Sequence, residues 1–116
     1  APSELLHRMM MVVDSIDYAD ANLSFQHTND VLSVQLTNTL SLNQLDSLTI
    51  WYHGIPSQGG GFGSFIQTTH AGSPIIWTLS EPYGAKDWWP CKQNLNDKID
   101  SIDVLVTTPV MVDLIE

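Results

Sequence analysis

The stretch NLSFQHTNDVLSVQL, residues 22–36, decides the fold class of this chain. Apolar residues occupy every second position on either side of a short polar gap. These positions are Leu23, Phe25, Leu32, Val34 and Leu36. Such alternation is typical of half-buried β-strands, whose successive side chains point to opposite faces. The gap, residues 28–30, contains Asn and Asp, which tolerate the left-handed backbone of a tight turn. The stretch therefore predicts two strands joined as a hairpin.

The same period-two pattern recurs along the chain. It predicts strands over residues 48–53 and 102–106, with further strand candidates at 6–13, 62–69, 75–79 and 110–115 (the last being a strand or a tail). Gly and Pro punctuate these runs after residues 53 and 71. Residues 40–48 fit neither the strand nor the helix period, and residues 94–98 predict a single turn. We therefore expect one all-β domain over residues 1–116, a mostly antiparallel sheet or sandwich with little or no helix.

The composition and net charge argue against several classes of binding partner. The chain is 43% hydrophobic and 15% charged, as expected for a globular protein. Four Lys and Arg against thirteen Asp and Glu give a formal net charge of −9. This balance argues against nucleic acid and against an anionic membrane surface as partners. The longest aliphatic run, residues 9–13, is too short to cross a bilayer.

No motif for chemistry on this chain is complete. The four histidines lack the His-Glu-x-x-His spacing of a zinc helix, and the acids repeated every three residues (14, 17, 20 and 97, 100, 103) lack the calcium-loop order. Those acids are expected to form solvated faces. The glycine-rich residues 57–64 lack the Gly-Lys-Ser/Thr of a phosphate loop and predict a flexible surface loop. The lone Cys91 is expected to be a structural thiol. We expect no catalytic residue, no metal site and no cofactor here.

The densest segment is TLSEPYGAKDWWPC, residues 78–91. Aromatic side chains, Gly, Pro and opposite charges crowd these positions, without strand periodicity. The composition predicts a rigid corner that its aromatic residues anchor to a core. Such a corner would present Glu81 or Lys86 at a fixed position.

This segment resembles the N-terminal domain of the aminopeptidase-N-like zinc metallopeptidases. In that family a strand ends in Gln or Glu. A basic residue follows five positions later, and then come an aromatic or aliphatic pair, Pro and often Cys, a turn, a Lys and a strand. The matching positions in this chain are Glu81, Lys86, Trp88, Trp89, Pro90, Cys91, Gln93-Asn94-Leu95, Lys98 and residues 102–106. Lys86 stands where the family usually has Arg, which weakens any bidentate ion pair there.

The resemblance implies a saddle-like β domain, here an incomplete N-terminal domain of a larger secreted enzyme that removes N-terminal residues from peptides. The zinc and its His-Glu-x-x-His helix would belong to a C-terminal catalytic domain outside this sequence. That domain and the amino end of a peptide substrate would be the partners. Glu81 would bind the substrate's α-amino group, with Tyr83 shaping the pocket. Lys86, Trp88, Trp89, Pro90, Cys91 and Lys98 would form the structural corner.

Simpler interpretations stay open at each position. Glu81 could be an ordinary exposed carboxylate, Trp88 and Trp89 could pack a core under the corner, and Lys86 could pair with Asp87 or a core carboxylate. The whole chain could instead be a stand-alone β-sandwich module that binds carbohydrate or protein. Its sugar-stacking platform would then use Trp51, Trp77, Trp88 and Trp89. A purely structural interaction domain is the third possibility.

Overall fold

The computed structural model describes residues 4–8, 10–56, 64–81, 83–109 and 113–115, with side chains for 10–56, 64–81 and 83–109. The predicted glycine-rich loop therefore lies almost wholly outside the described residues. The elements are β1 (Glu4–Arg8), β2 (Val12–Tyr18), β3 (Ala21–Asn22), β4 (Phe25–Thr28), β5 (Val31–Gln35), β6 (Thr49–His53), β7 (Phe65–His70), β8 (Ser73–Thr78), a 3-10 turn (Ala85–Asp87) and β9 (Asp113–Ile115).

The nine strands found among the described residues form three sheets of three strands each. The strand orders are β1-β5-β4, β3-β2-β6 and β7-β8-β9. Every pairing is antiparallel except that of β8 with β9, which is parallel. The prediction of an all-β, mostly antiparallel fold is confirmed.

Three of the hairpins turn on two residues each. They close at Tyr18–Ala21, Thr28–Val31 and His70–Ser73. Both central residues of each turn have positive φ: Ala19 and Asp20, Asn29 and Asp30, Ala71 and Gly72. This is the type I′ geometry, whose twist matches that of the flanking strands. The middle turn confirms the hairpin predicted from residues 22–36.

The core lies between the first two sheets. The fully buried side chains are Ile16 from one sheet and Leu32 and Val34 from the other. They belong to a single cluster with Val13, Tyr18, Leu23 and Leu36. The two sheets thus face each other across their apolar sides, as in a small sandwich. The third sheet has its own buried residue, Ile75, outside this cluster.

Two strand predictions were wrong in detail. Residues 6–13 do not form one strand, because β1 ends at Arg8 and β2 begins at Val12. Residues 102–106 form no strand at all, and Ile102, Val104 and Val106 are each more than half exposed. Alternation makes a strand only where a neighbouring strand supplies hydrogen bonds. No described residue does so for this segment.

Candidate functional site

The corner predicted from residues 78–91 follows the end of β8. After Thr78 the chain turns back on itself, and the Gly84 amide donates to the Ser80 carbonyl at 2.7 Å. The 3-10 turn follows immediately, and the Trp89 amide closes it on the Ala85 carbonyl at 3.0 Å. These local bonds define the backbone of residues 83–89 and tie it back to Ser80.

Two side-chain bonds stabilise the corner, one to a residue outside it and one within it. The buried Ser64 hydroxyl donates to Asp87 Oδ2 at 2.6 Å, and Trp88 Nε1 donates to Ser80 Oγ at 2.9 Å. Ser64 precedes β7, so the first of these bonds joins the corner to the third sheet. Gly84 faces Ser64 so closely that a side-chain Cβ there would overlap Ser64 Oγ. The close approach explains why position 84 carries glycine.

The two tryptophans stack beside β7 instead of entering the main core. The Trp88 ring lies 5.5 Å from Phe65, tilted by 49°, and 6.1 Å from Trp89, tilted by 46°. Both distances fall within the range of favourable aromatic pairs. Trp89 Nε1 is buried and has no hydrogen-bond partner among the described residues. The aromatic residues thus anchor the corner to the third sheet.

Lys86 helps to hold the corner. Its ammonium group donates to the Tyr83 carbonyl at 3.0 Å, and its own carbonyl accepts from the Met10 amide at 2.9 Å. The latter bond joins the corner to the segment just before β2. Among the described carboxylates none forms an ion pair with Lys86, and the neighbouring Asp87 bonds to Ser64. Lys86 is therefore fixed through backbone carbonyl groups.

Glu81 and Tyr83 project from the corner into solvent. Glu81 is exposed, and its carboxylate forms no hydrogen bond or ion pair with any residue that the structure describes. Tyr83 is 48% exposed. A free carboxylate on a braced turn can accept a charge-assisted hydrogen bond from an ammonium group. The Tyr83 ring, two residues along the chain, exposes about half of its surface.

The segment after the corner forms one wall of an open cleft of about 480 Å³. Tyr83, Trp89 and Pro90 line it together with Cys91 and the exposed Lys98. Cys91 is half-buried, and Gln93 Nε2 lies 3.6 Å from its sulfur atom. The predicted turn at residues 94–98 is present, since the Asp97 amide donates to the Asn94 carbonyl at 3.1 Å and Lys92 pairs with Asp97. The corner and the cleft are continuous.

Three histidines with described side chains lie on different sheets: His27 in β4, His53 in β6 and His70 in β7. His7 lies in β1, in the same sheet as His27. Within residues 10–56, 64–81 and 83–109, no group of three or more His, Cys, Asp or Glu side chains is arranged to hold a metal ion. No helix in the described part of the chain is long and apolar enough to cross a membrane.

A second group of polar side chains was not predicted from the sequence. It lies on the outward face of β2 and β6, where Trp51 Nε1 donates to Asp17 Oδ2 at 2.9 Å. His53 Nδ1 lies 2.8 and 2.9 Å from the two oxygens of Asp14. The three-residue spacing of Asp14 and Asp17 was the available signal. In a regular strand that spacing places two side chains on opposite faces. The sequence therefore did not indicate that Asp14 and Asp17 lie on the same face.

A scan against protein-family models and searches of curated proteins and of solved structures gave no match.

Proposed function

We propose that this chain is an accessory β domain of a zinc aminopeptidase and that Glu81 binds the free α-amino group of the peptide substrate. The observation that carries the proposal is the Glu81 carboxylate, which is exposed, has no described partner and follows Ser80, a residue held by two hydrogen bonds. The resemblance of residues 81–98 to the family motif supplies the enzyme class.

A braced turn suits this task. The Gly84 amide and the Trp88 indole are both bound to Ser80, the residue next to Glu81. Because the backbone at Ser80 is already held, binding of an ammonium group by Glu81 costs little further backbone freedom there, so more of the interaction energy appears as affinity. Fixing the amino end of a peptide also fixes which peptide bond reaches the catalytic group.

The zinc chemistry would lie outside this chain. The described residues offer no set of three or more metal ligands, and no step of the proposal runs through a metal held by this domain. In the parent enzyme a zinc ion would activate the attacking water. The part assigned to this domain is to bind and orient the substrate.

The exposed apolar segment after the cleft supports a docking role toward the catalytic domain. Ile99 and Leu105 are 66% and 93% exposed. Burying a leucine side chain contributes about 1.5–3 kcal/mol, so a partner that covers this segment would gain substantially. Leu105→Asp in the full-length protein is expected to loosen the contact between the two domains, with Asp103→Asn as the control in the same segment. Limited proteolysis between the domains measures it.

Kinetics of the full-length protein tests the role of Glu81. Glu81→Ala is expected to lower kcat/KM by about 10- to 100-fold, because a hydrogen bond to a charged group contributes about 1.5–3 kcal/mol. Glu81→Gln keeps an acceptor and should fall between Glu81→Ala and wild type. Asp100→Ala removes an exposed carboxylate elsewhere and should change nothing. Unchanged kinetics for Glu81→Ala would sink the assigned role.

The enzyme class has a separate test. The open reading frame downstream of this sequence should encode a His-Glu-x-x-His motif within a few hundred residues. Without that motif the aminopeptidase assignment fails, whatever Glu81 does.

The rival interpretation, a sugar-stacking platform, finds little support in the geometry. Of the four tryptophans, only Trp51 is exposed, and Trp77, Trp88 and Trp89 are half-buried. A platform would therefore rest on a single indole.

A further inference from the structure

A bulge in β2 creates an acidic aromatic platform on the outward face of the second sheet. The register of β2 against β6 shifts between Val13 and Ser15, so Asp14 is an extra residue without a partner. The inserted residue changes the alternation: Val13 and Ile16 both point inward and are buried. Asp14 and Asp17 consequently both lie outward, where they bond to β6 side chains. Bulges commonly re-aim side chains in this way.

The platform consists of Asp14, Asp17, Trp51 and His53. Trp51 is 57% exposed, although its indole N–H is already bonded to Asp17. Asp14 and His53 keep about half or more of their side-chain surface in solvent, at 48% and 66%. The arrangement leaves an aromatic face open and sets carboxylates on β2 alongside it.

The acidic surface around the platform favours a positively charged ligand. Lys86, Lys92 and Lys98, three of the four Lys and Arg residues of the chain, all lie in the corner and the segment that follows it. Beside Asp17 an open cleft of about 560 Å³ continues the acidic surface, and Asp20, Ser47 and Thr49 line it. An indole face attracts cations through its quadrupole, and carboxylates bind guanidinium groups through paired hydrogen bonds.

We propose that this platform binds an arginine side chain of a basic segment in a partner protein. The guanidinium group stacks on Trp51 and bonds to Asp17, of which Trp51 uses only Oδ2, or to Asp14, which it would share with His53, while the neighbouring residues of the segment enter the acidic cleft. Arginine is favoured over lysine because its planar group can stack and form paired hydrogen bonds at once. The inference is independent of the role assigned to Glu81.

Nuclear magnetic resonance on the 116-residue chain tests the proposal. The probe is the peptide acetyl-Gly-Arg-Gly-Arg-Gly-amide, and its matched control replaces both arginines with citrulline, which is neutral and of similar shape. The arginine peptide should shift the Trp51 indole N–H signal, assigned through Trp51→Phe, in a saturable way. The citrulline peptide should not. A response to both peptides, or to neither, would overturn the proposal.

Variants locate the site. Trp51→Ala, followed through the backbone amide signals of β6 because the indole signal is absent, should weaken binding about fivefold, which corresponds to about 1 kcal/mol for an exposed cation–π contact. Asp14→Asn with Asp17→Asn should weaken it further. Asp100→Asn with Asp103→Asn removes the same charge elsewhere and should leave affinity unchanged. Circular dichroism checks that each variant folds.

Two outcomes would refute the inference. Equal losses in the two double variants would show that only net charge matters. A shift of the Trp51 signal by neutral oligosaccharides, with none by the arginine peptide, would show a sugar-binding surface.

Discussion

Replacement of Gly84 by alanine provides a sharp test of the corner, because its effect should change sign with the residue at position 64. The Gly84 backbone is right-handed, with φ −85° and ψ −12°, so alanine fits the backbone without strain. The obstacle is Ser64: the new Cβ would overlap its Oγ and lie 3.1 Å from its Cβ. Ser64 would have to turn away and give up its bond to Asp87.

The expected magnitude follows from two opposing effects. A hydroxyl–carboxylate bond contributes about 1.5–3 kcal/mol, and the lower end applies because Asp87 is only half-buried. Gly→Ala at a compatible position gains about 0.4–1 kcal/mol by restricting the unfolded chain. Gly84→Ala alone should therefore lower the free energy of unfolding by about 1 kcal/mol. In a Ser64→Gly background the bond and the overlap are already gone, so the same change should be neutral or stabilising.

Urea denaturation followed by tryptophan fluorescence measures both effects, since Trp88 belongs to the corner. The two backgrounds form a double-mutant cycle, in which the entropic effect of glycine at position 64 cancels. The contact with the Ser80 Cα, 3.3 Å from the new Cβ, is present in both backgrounds. An equal loss of stability in the two backgrounds would refute the reasoning, because the destabilisation would then not come from Ser64.

Three further predictions concern the sandwich and its turns. Leu32→Ala should lower the free energy of unfolding by about 2–5 kcal/mol in urea, whereas Leu42→Ala, at a 91% exposed position, should change little. The hydrogen bond from Tyr18 lowers the pKa of Asp46. The stability that Asp46 provides is therefore present at neutral pH and is lost as the pH falls through that lowered pKa. The thermal midpoints of Asp46→Asn and wild type should accordingly converge in acid. The same bond raises the pKa of Tyr18, and its contribution should be lost only at strongly alkaline pH. Ala71→Asn should raise the thermal midpoint, gaining about 0.5–1 kcal/mol, because asparagine tolerates the φ of 50° at that position; no gain would count against a type I′ turn.

The strands of the sandwich could be predicted because their alternation is regular. Leu32 and Val34 point inward in β5 as the pattern requires, and Asn29 and Asp30 form the turn between β4 and β5. The anchoring of the corner by aromatic residues was also predicted, and Trp88 does pack against Phe65.

The remaining features could not be predicted from the sequence, because they depend on which distant parts of the chain pair with each other. Residues 102–106 alternate as well as any strand of the chain, yet they lack a described neighbour. The β2 bulge was equally hidden, because one inserted residue at Asp14 reverses every later expectation of which side chains face outward. Two hydrogen bonds, from Ser64 to Asp87 and from Met10 to Lys86, join distant parts of the chain. No local sequence pattern predicts them.

The three two-residue hairpins also have a kinetic consequence. Each of them joins strands that are neighbours in sequence, so β2–β3, β4–β5 and β7–β8 can form within microseconds with little loop-closure entropy. The β1–β5 and β2–β6 pairings connect residues far apart along the chain, such as Val12 with His53. Assembly of the preformed hairpins into the sandwich is therefore expected to limit the folding rate. Substitutions in the turns should mainly alter the lifetime of early hairpins, and those at Ile16 or Leu32 should alter their docking.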